Sequence, residues 1–287
     1  PCGTLFPYTT LFRSVAMLLV DDEADNASVN TAKEDADPTK TNELLRKILQ
    51  LFHRSTYVGY TATPFANIFI NPEAYTKESL QELFPKDFIY SLDAPSHYFG
   101  PQKLFLDEAF GDRALIAIDD AEEVIPLKHN KYLVLRTLPA SLYRAINQFI
   151  LVRAIRNLRG QGNQHCSMMV NVSRFTDVQR QVKDLVSVYV RRVAEAVKAN
   201  SRMPEAHSNQ DEIMADLKKE FRRSFGDCGF DWQDVKLHLD SFDRNRQILV
   251  INSKSEDTLD YRRYEKEGTW LNVIAIGGLS LSRGLTI

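Results

Sequence analysis

Short apolar runs recur along the chain, and polar or charged residues end each of them abruptly. The first run, VAMLLV at 15–20, is continuous, which is typical of a parallel strand buried on both faces. A second short run covers 56–60. Between the two, residues 40–53 carry apolar side chains at helical spacing. Strand, helix and strand in this order predict one right-handed βαβ unit.

The same alternation returns in the second half of the chain, which predicts a second parallel α/β layer. Its predicted helices and strands cover 141–158, 166–172, 175–199, 212–225, 247–251 and 272–276. Residues 73–140 carry several prolines and show no long period, so they predict an irregular connector with short elements such as 115–118. The fold class is therefore α/β, with an incomplete first lobe at 15–72 and a second lobe at 141–287.

Composition places the chain among ordinary globular proteins, with 44% hydrophobic and 26% charged residues. The net charge of −2 gives no overall basic signature for nucleic acid, although a local basic groove would suffice for binding. The three cysteines form no C-x-x-C pair, which argues against a disulfide framework and a structural zinc site. No secretory signal or membrane-length apolar run is visible, so these features favour a cytoplasmic protein without membrane contact.

The first residues, 1–14, need separate treatment. They read PCGTLFPYTTLFRS, and PYTTLFRS resembles the translation of a sequencing adapter. The alternative is a genuine strand with a turn at Pro7. We exclude this leader from fold prediction, as an expression tag would be excluded.

Acidic residues follow the first apolar run directly, as Asp22-Glu23-Ala24-Asp25. Ligands of parallel sheets bind beyond the carboxyl ends of the strands. A carboxylate there suits hydrated Mg²⁺, which is the role we predict for Asp22. Glu23 suits the orientation or deprotonation of a water that attacks a phosphate. The alternative is a solvated acidic loop that caps a helix.

Two threonines follow the second apolar run, in the segment Thr61-Ala62-Thr63-Pro64. Hydroxyl groups at this point can donate hydrogen bonds to a neighbouring carboxylate. A plain turn uses the same residue types, so this segment carries weight only together with the acidic run.

The pair DEAD (22–25) and TAT (61–63) resembles motifs II and III of superfamily-two helicases. Longer strings resemble the Z1 domain of bacterial endonuclease-type proteins, namely LLVDDEADNASVN, YVGYTATPFANIFI, SMMVNVSRFTDVQ (167–179) and IAIGGLSLSRGLTI (274–287). The resemblance implies two RecA-like lobes, with parallel sheets flanked by helices. It also implies a motor that uses ATP and Mg²⁺ on nucleic acid, DNA in particular, in a restriction or phage-defence setting with partner proteins.

The resemblance also implies residue roles. Asp22 would bind Mg²⁺ through water, and Glu23 would be the general base. Asp25 would accept a hydrogen bond from Thr61 or Thr63, which links the nucleotide state to movement between the lobes. Ser282, Arg283 and Gly284 would lie near phosphates of the nucleotide or of the nucleic acid. Ser173 and Arg174 follow the end of a predicted strand and are candidate nucleic-acid contacts from that position.

The region that resembles motif V departs from the helicase pattern at two positions. Gly278 stands where threonine is common, and Thr286 stands where aspartate is common. Both departures argue against a ribose contact from this strand.

The phosphate loop of a nucleotide-driven motor does not occur in the sequence. No G-x-x-x-x-G-K-[ST] string exists, and none of the 12 glycines precedes a lysine. The arginines of a motif VI are also missing. We therefore expect a fragment that hydrolyses nucleotide poorly by itself, cut from a longer ATP-dependent hydrolase. Its cleft would be lined by Asp22, Glu23, Thr61 and Arg283, and missing strands would leave an exposed sheet edge in the first lobe.

Two further groups of charged residues, one basic and one acidic, are candidates for a functional role. Residues 151–200 hold nine basic and three acidic residues, and Arg153, Arg156 and Arg159 would form a loose helical stripe, for nucleic acid or simply for solvent. The acidic pairs at 107–108 and 265–267 lack a convincing partner for a nuclease metal site. A nuclease that cuts DNA directly and a non-catalytic scaffold that binds nucleic acid or a partner remain the alternatives to the motor.

Overall fold

The chain forms two compact units, residues 1–100 and 101–287. A computed structural model describes residues 14–26, 28–30, 39–71, 82–93, 95–96, 98–252, 259–278 and 281. Each unit contains a small parallel sheet flanked by helices, which confirms the predicted α/β class. The predicted leader, apart from Ser14, and the predicted phosphate contacts at 282–284 lie outside the described residues.

The first unit contains the predicted βαβ segment. Its elements are β1 (Ala16–Asp22), α1 (Lys40–Gln50), β2 (Arg54–Tyr60) and the short helix α2 (Phe65–Ile68). The two strands pair in parallel, and the last residue of β1, Asp22, lies beside the last residue of β2, Tyr60. The loops that follow the two strands therefore leave the sheet at the same edge.

Burial of β1 differs from the prediction that apolar residues cover both of its faces. Alternate side chains are exposed, with Leu18 at 62% and Val20 at 56% of full exposure, while Met17 and Leu19 are half-buried. Successive residues of a strand point to opposite faces, so one face of this strand is bare. The prediction of burial on both faces was wrong. The described part of this unit has a sheet of only two strands and only one long helix, α1, to cover it.

The second unit has a three-stranded parallel sheet in the order β3-β5-β4. Its strands are β3 (Cys166–Asn171), β4 (Arg246–Ile251) and β5 (Asn272–Gly277). Its helices are α3 (Glu108–Ala114), α4 (Ala121–Val124), α5 (Ala140–Leu158), α6 (Thr176–Asn200), α7 (Glu205–Ser208), α8 (Glu212–Ser224), α9 (Trp232–Leu237) and α10 (Tyr261–Lys266). A π-helical turn at Gln102–Leu106 and a 3₁₀ turn at Leu239–Phe242 complete it.

The core of this unit is built around the central strand, since every residue of β5 is buried. Helix α6 packs on β4 and β5 with a stripe of valines at helical spacing. These fully buried side chains are Val178, Val182, Val186, Val190, Val193 and Val197. Each one contributes about 1.5–3 kcal/mol by leaving water, so this buried valine stripe stabilises the unit.

Residues 120–138, predicted as part of a connector, belong to the second unit and bond to its helices. The amide of Ser141 donates to Asp120 Oδ2 at 2.7 Å. The Gln181 side chain bonds with the backbone of Leu133 and of Leu135, both at 2.8 Å. The predicted short element at 115–118 has no regular secondary structure. Its apolar side chains are exposed, so burial does not stabilise a strand or a helix there.

The three arginines of α5 and its end do not form an exposed basic stripe. Arg153 donates to the carbonyl oxygens of Gln164 and Gly162, at 2.6 and 2.7 Å. Arg156 donates to the carbonyl of His165, and Arg159 to that of Cys228. Arg153 is buried and Arg156 is half-buried, whereas Arg159 is exposed; each of the three guanidinium groups bonds to a backbone carbonyl of a neighbouring loop. None of the described helices is long and apolar enough to cross a membrane.

The buried carboxylate of Glu220 joins α8 to α5 and generates a test of the fold. It accepts hydrogen bonds from Gln148 Nε2 and Ser224 Oγ, both at 2.7 Å, and lies 3.4 Å from Arg144 Nε. Burial alone would raise the pKa of Glu220, but these three donors outweigh it and hold the pKa below its usual value. The resulting stabilisation is present at neutral pH and is lost as the pH falls through the folded-state pKa.

We therefore expect Glu220→Gln to lower the free energy of unfolding by about 1–3 kcal/mol at pH 7. The difference from the wild type should narrow as the pH falls below the ordinary pKa of a glutamate and then through the lowered pKa of Glu220, because the carboxyl group becomes protonated. Denaturant unfolding at several pH values measures this, with the exposed residue Glu195 changed to Gln as the control. An equal loss at every pH would contradict the assigned charge interaction.

Candidate functional site

The acidic run continues the pairing of β1 with β2 beyond the last strand residues. The amide of Ala24 donates to the carbonyl of Tyr60 at 3.0 Å. Ala24 is fully buried, and a Cβ atom placed on Gly59 would lie only 2.8 Å from the Ala24 Cβ. Glycine at 59 therefore allows the acidic loop to lie against β2, which brings it close to the threonine turn.

A hydrogen bond joins the acidic run to the threonine turn. The Thr63 hydroxyl donates to Asp25 Oδ2. Thr61 acts inside the turn, where its Oγ1 accepts from the amide of Thr63 at 3.0 Å. A second connection comes from Asn67 on α2, whose Nδ2 donates to the carbonyl of Ala24 at 2.9 Å. The two loops are therefore linked at two consecutive residues, 24 and 25.

The backbone of Glu23 is held in an uncommon conformation. Its φ is 58°, in the left-handed region that side chains other than glycine rarely occupy. The amide of Glu23 donates to Asp22 Oδ1 at 3.1 Å, and both side chains are exposed. Such residues cost on the order of 1–3 kcal/mol and cluster at functional sites. This turn leaves the carboxylates of Asp22 and Glu23 open to solvent at the sheet edge.

The acids of this segment divide into two pairs with different surroundings. Asp21 accepts a hydrogen bond from the Tyr57 hydroxyl at 2.7 Å, and Asp25 accepts one from Thr63. Burial and the nearby Asp21 carboxylate raise the pKa of Tyr57, so this tyrosine stays a protonated donor. Two carboxylates are thus fixed by protein hydroxyl groups, while Asp22 and Glu23 remain available to a ligand.

Asp22 has the chemistry of a carboxylate that holds Mg²⁺ through water. Magnesium keeps several waters and is bound in proteins by one or two carboxylates together with substrate phosphates. Across the described parts of the chain, no three or more His, Cys, Asp or Glu side chains are grouped closely enough to enclose a metal ion. A single exposed carboxylate at the end of a parallel strand fits a hydrated ion.

The second sheet gathers polar residues at its carboxyl edge in the same way. The last residues of its strands, Asn171, Gly277 and Ile251, lie beside one another. Gln179 of α6, only 2% exposed, connects the loops that follow β3 and β4. Its Nε2 donates to the carbonyl of Ser173 at 2.7 Å, and its Oε1 accepts from Asn252 at 2.8 Å.

Gly278 closes this arrangement after β5. A methyl group built on Gly278 would overlap the carbonyl oxygen of Ser173 and come within 3.0 Å of Gln179 Nε2. The sequence departs from the helicase pattern here, with glycine where threonine is common. The structure gives the physical reason, since no side chain fits between the two loops.

Ser173 and Arg174, which were predicted together as a nucleic-acid contact, have different surroundings. The Ser173 side chain is buried, and its hydroxyl lies 2.7 Å from His129 Nε2. His129 Nδ1 lies 2.6 Å from the carbonyl of Pro126, which can only accept, so Nδ1 carries the proton and Nε2 accepts from Ser173. Arg174 is exposed, with its guanidinium 4.9 Å from the centre of the Phe175 ring. Arg174 is therefore the one of the two that a ligand can reach.

Several of these residues were not found from the sequence. Tyr57, Asn67 and Gln179 lie inside strings that carry the resemblance but were given no role of their own, and His129 and Asn252 lie outside those strings. The available signal for Asn252 was its place as a polar residue directly after a predicted strand, since it follows Val250 and Ile251. The predicted contacts of Ser282, Arg283 and Gly284 lie outside the described residues, so these contacts and the predicted cleft stay predictions.

Substitution of Gly278 tests the close approach of the loops. We expect Gly278→Ala to lower the free energy of unfolding of the chain by about 1–3 kcal/mol, because the added methyl group overlaps a backbone oxygen. Gly226→Ala is the control, since its added Cβ would lie 3.1 Å from a carbonyl oxygen on an exposed turn. Denaturant unfolding measures both. Equal effects of the two substitutions would show that the loops are not tightly packed.

Comparison with known proteins identifies a family for the second unit. The family model described as the Z1 domain matches residues 141–287, just over half of the chain, and this range includes Ser173, Gln179 and Gly278. The acidic run and the threonine turn lie before the matched range. No curated protein and no solved structure matches the chain. The match to the family model shows that the chain belongs to the Z1 domain family.

Proposed function

We propose that this chain is part of an ATP-driven motor that acts on nucleic acid, with DNA as its substrate. The observation that carries the proposal is the hydrogen bond from Thr63 to Asp25. It ties a loop with two available carboxylates to the loop of the neighbouring parallel strand. A motor needs this kind of connection, because a change at the nucleotide has to reach a second segment of the protein.

The available carboxylates suit the chemistry of phosphate hydrolysis. Asp22 would hold Mg²⁺ through water, and the ion would neutralise charge on the phosphates. Glu23 would accept the proton of the attacking water. Its exposed carboxylate and its left-handed backbone support this role, since the turn separates it from the bonded acids Asp21 and Asp25.

The coupling step follows from the bonds around Ala24. Its amide is bonded to Tyr60 and its carbonyl accepts from Asn67 and Ser28. A shift of Asp22 or Glu23 therefore strains bonds to β2 and α2 within one or two residues. Thr63 would transmit the shift through Asp25.

Contact with nucleic acid would involve Arg174 at the carboxyl edge of the second sheet. Its guanidinium is exposed and lies over an aromatic ring, which favours a phosphate or a base as a ligand. A restriction or defence setting with partner proteins follows from the resemblance of the sequence to endonuclease-type Z1 proteins.

The direct test uses a protein that carries this chain together with a phosphate loop. Nucleic-acid-stimulated ATP hydrolysis should fall by about 10²–10⁴-fold in Glu23→Gln, since loss of a general base has this effect. ATP binding should persist, because the substitution removes no phosphate contact. Glu195→Gln, an exposed change on α6, is the matched control and should hydrolyse ATP at the wild-type rate.

Two experimental results would indicate one of the alternative functions, a nuclease or a scaffold, instead of a motor. DNA cleavage that survives Glu23→Gln, without ATP hydrolysis in the wild type, would indicate a nuclease. Nucleic-acid binding with neither activity would indicate a scaffold. Either result contradicts the proposal.

A further inference from the structure

A small cavity opens at the amino edge of the second sheet, away from Ser173 and Gly278. Its volume is about 260 Å³, and it lies where β4 and β5 begin. Two arginines, Arg153 and Arg244, contribute to its lining, while no aspartate or glutamate does. The other lining residues used below are Asn157, Asn245, Thr269 and Trp270. The cavity therefore combines positive charge with neutral polar groups and one aromatic wall.

Arg153 is a buried cation, and no carboxylate among the described residues pairs with it. It is 4% exposed, and its two terminal nitrogens donate only to the carbonyl oxygens of Gln164 and Gly162. Its Nε has no acceptor within the part of the chain that the structure describes. A buried charge usually has a partner of opposite sign, because desolvation is costly. The missing negative charge points to a ligand.

The second arginine of the cavity, Arg244, adds further positive charge beside Arg153. Burial lowers the pKa of Arg153, and the positive charges of Arg156 and Arg244 lower it further. Arg244 has only a weak competing partner, since Asp240 lies 3.5 Å away and both side chains are mostly exposed. Its guanidinium is therefore able to turn towards an anion in the cavity at little cost.

The neutral groups and the size of the cavity limit the anion. Asn157 Nδ2 already bonds with His238 Nδ1 at 2.9 Å, and the Thr269 hydroxyl donates to the Tyr264 carbonyl at 3.4 Å. Asn245 is therefore the main neutral donor left for a ligand, and Trp270 supplies a flat wall. The Asn245 Nδ2 makes only a long 3.5 Å bond to the Trp270 carbonyl, so it is available to a stronger acceptor. The volume of the cavity suits one tetrahedral oxyanion, and a larger attached group would extend out of its opening.

We propose that this cavity binds a phosphate group, held between the guanidinium groups of Arg153 and Arg244. Guanidinium forks match phosphate oxygens in geometry, and the double negative charge balances the two arginines. The group is either inorganic phosphate or the phosphate of a mononucleotide, since both present the same oxygens. The site lies at the opposite sheet edge from Arg174 and does not depend on the motor proposal.

The test measures binding of inorganic phosphate to the full chain by calorimetry and by thermal unfolding. Ionic strength is kept constant with chloride, so that general screening does not change. Phosphate should bind saturably and raise the unfolding temperature, as any ligand of the native state does. Arg244→Gln should weaken binding about tenfold or more, which is the usual loss for one charged hydrogen bond.

Arg180→Gln is the matched control. Arg180 is also exposed and ion-paired with an aspartate of its own helix, Asp177, but it lies near the carboxyl edge of the sheet. This variant should bind phosphate like the wild type. Arg153→Lys should also weaken binding; because it loses two carbonyl bonds and can fail to fold, Arg244→Gln decides the matter.

Adenosine monophosphate provides the second arm of the experiment. Competition with phosphate and tighter binding would identify a nucleotide as the ligand, and weaker binding would identify free phosphate. The proposal is overturned if phosphate binds no better than chloride, or if Arg244→Gln binds it as the wild type does. An equal loss in Arg180→Gln would also overturn it, because binding would then reflect surface charge alone.

Discussion

Parallel pairing of strands brings distant residues together in both units, because parallel strands end at the same edge of a sheet. Asp22 and Tyr60 lie side by side at the ends of β1 and β2. The loops that follow are therefore neighbours, although 38 positions separate Asp25 from Thr63. In the second unit, the three strand ends gather the loops that Gln179 and Gly278 connect.

Close loop contact at these edges depends on residues with little or no side chain. Gly59 makes room for Ala24 in the first unit, and Gly278 makes room for Ser173 in the second. This close contact also determines which carboxylates remain available to a ligand. Ala24 is held against β2, so Asp25 turns to Thr63, while the left-handed turn at Glu23 keeps two carboxylates exposed.

The sequence predicted most helices and strands, because hydrophobic period and the acids after an apolar run are local signals. It did not predict what side chains face. The spacing of Arg153, Arg156 and Arg159 is the same for an exposed stripe and for loop-holding groups. Burial of β1 depends on how many strands lie beside it, and the partners of Tyr57 and Gln179 depend on packing between distant segments. These features arise from tertiary structure and leave no motif.

The most direct test of the proposed coupling is a double-mutant cycle on Asp25 and Thr63 in a protein that carries this chain together with a phosphate loop. Nucleic-acid-stimulated ATP hydrolysis is measured for Asp25→Asn, Thr63→Val and the double variant. If the hydrogen bond transmits the nucleotide state, the double variant should be no slower than the worse single variant, because each change removes the same interaction. Additive losses would contradict the account, since the two side chains would then act independently.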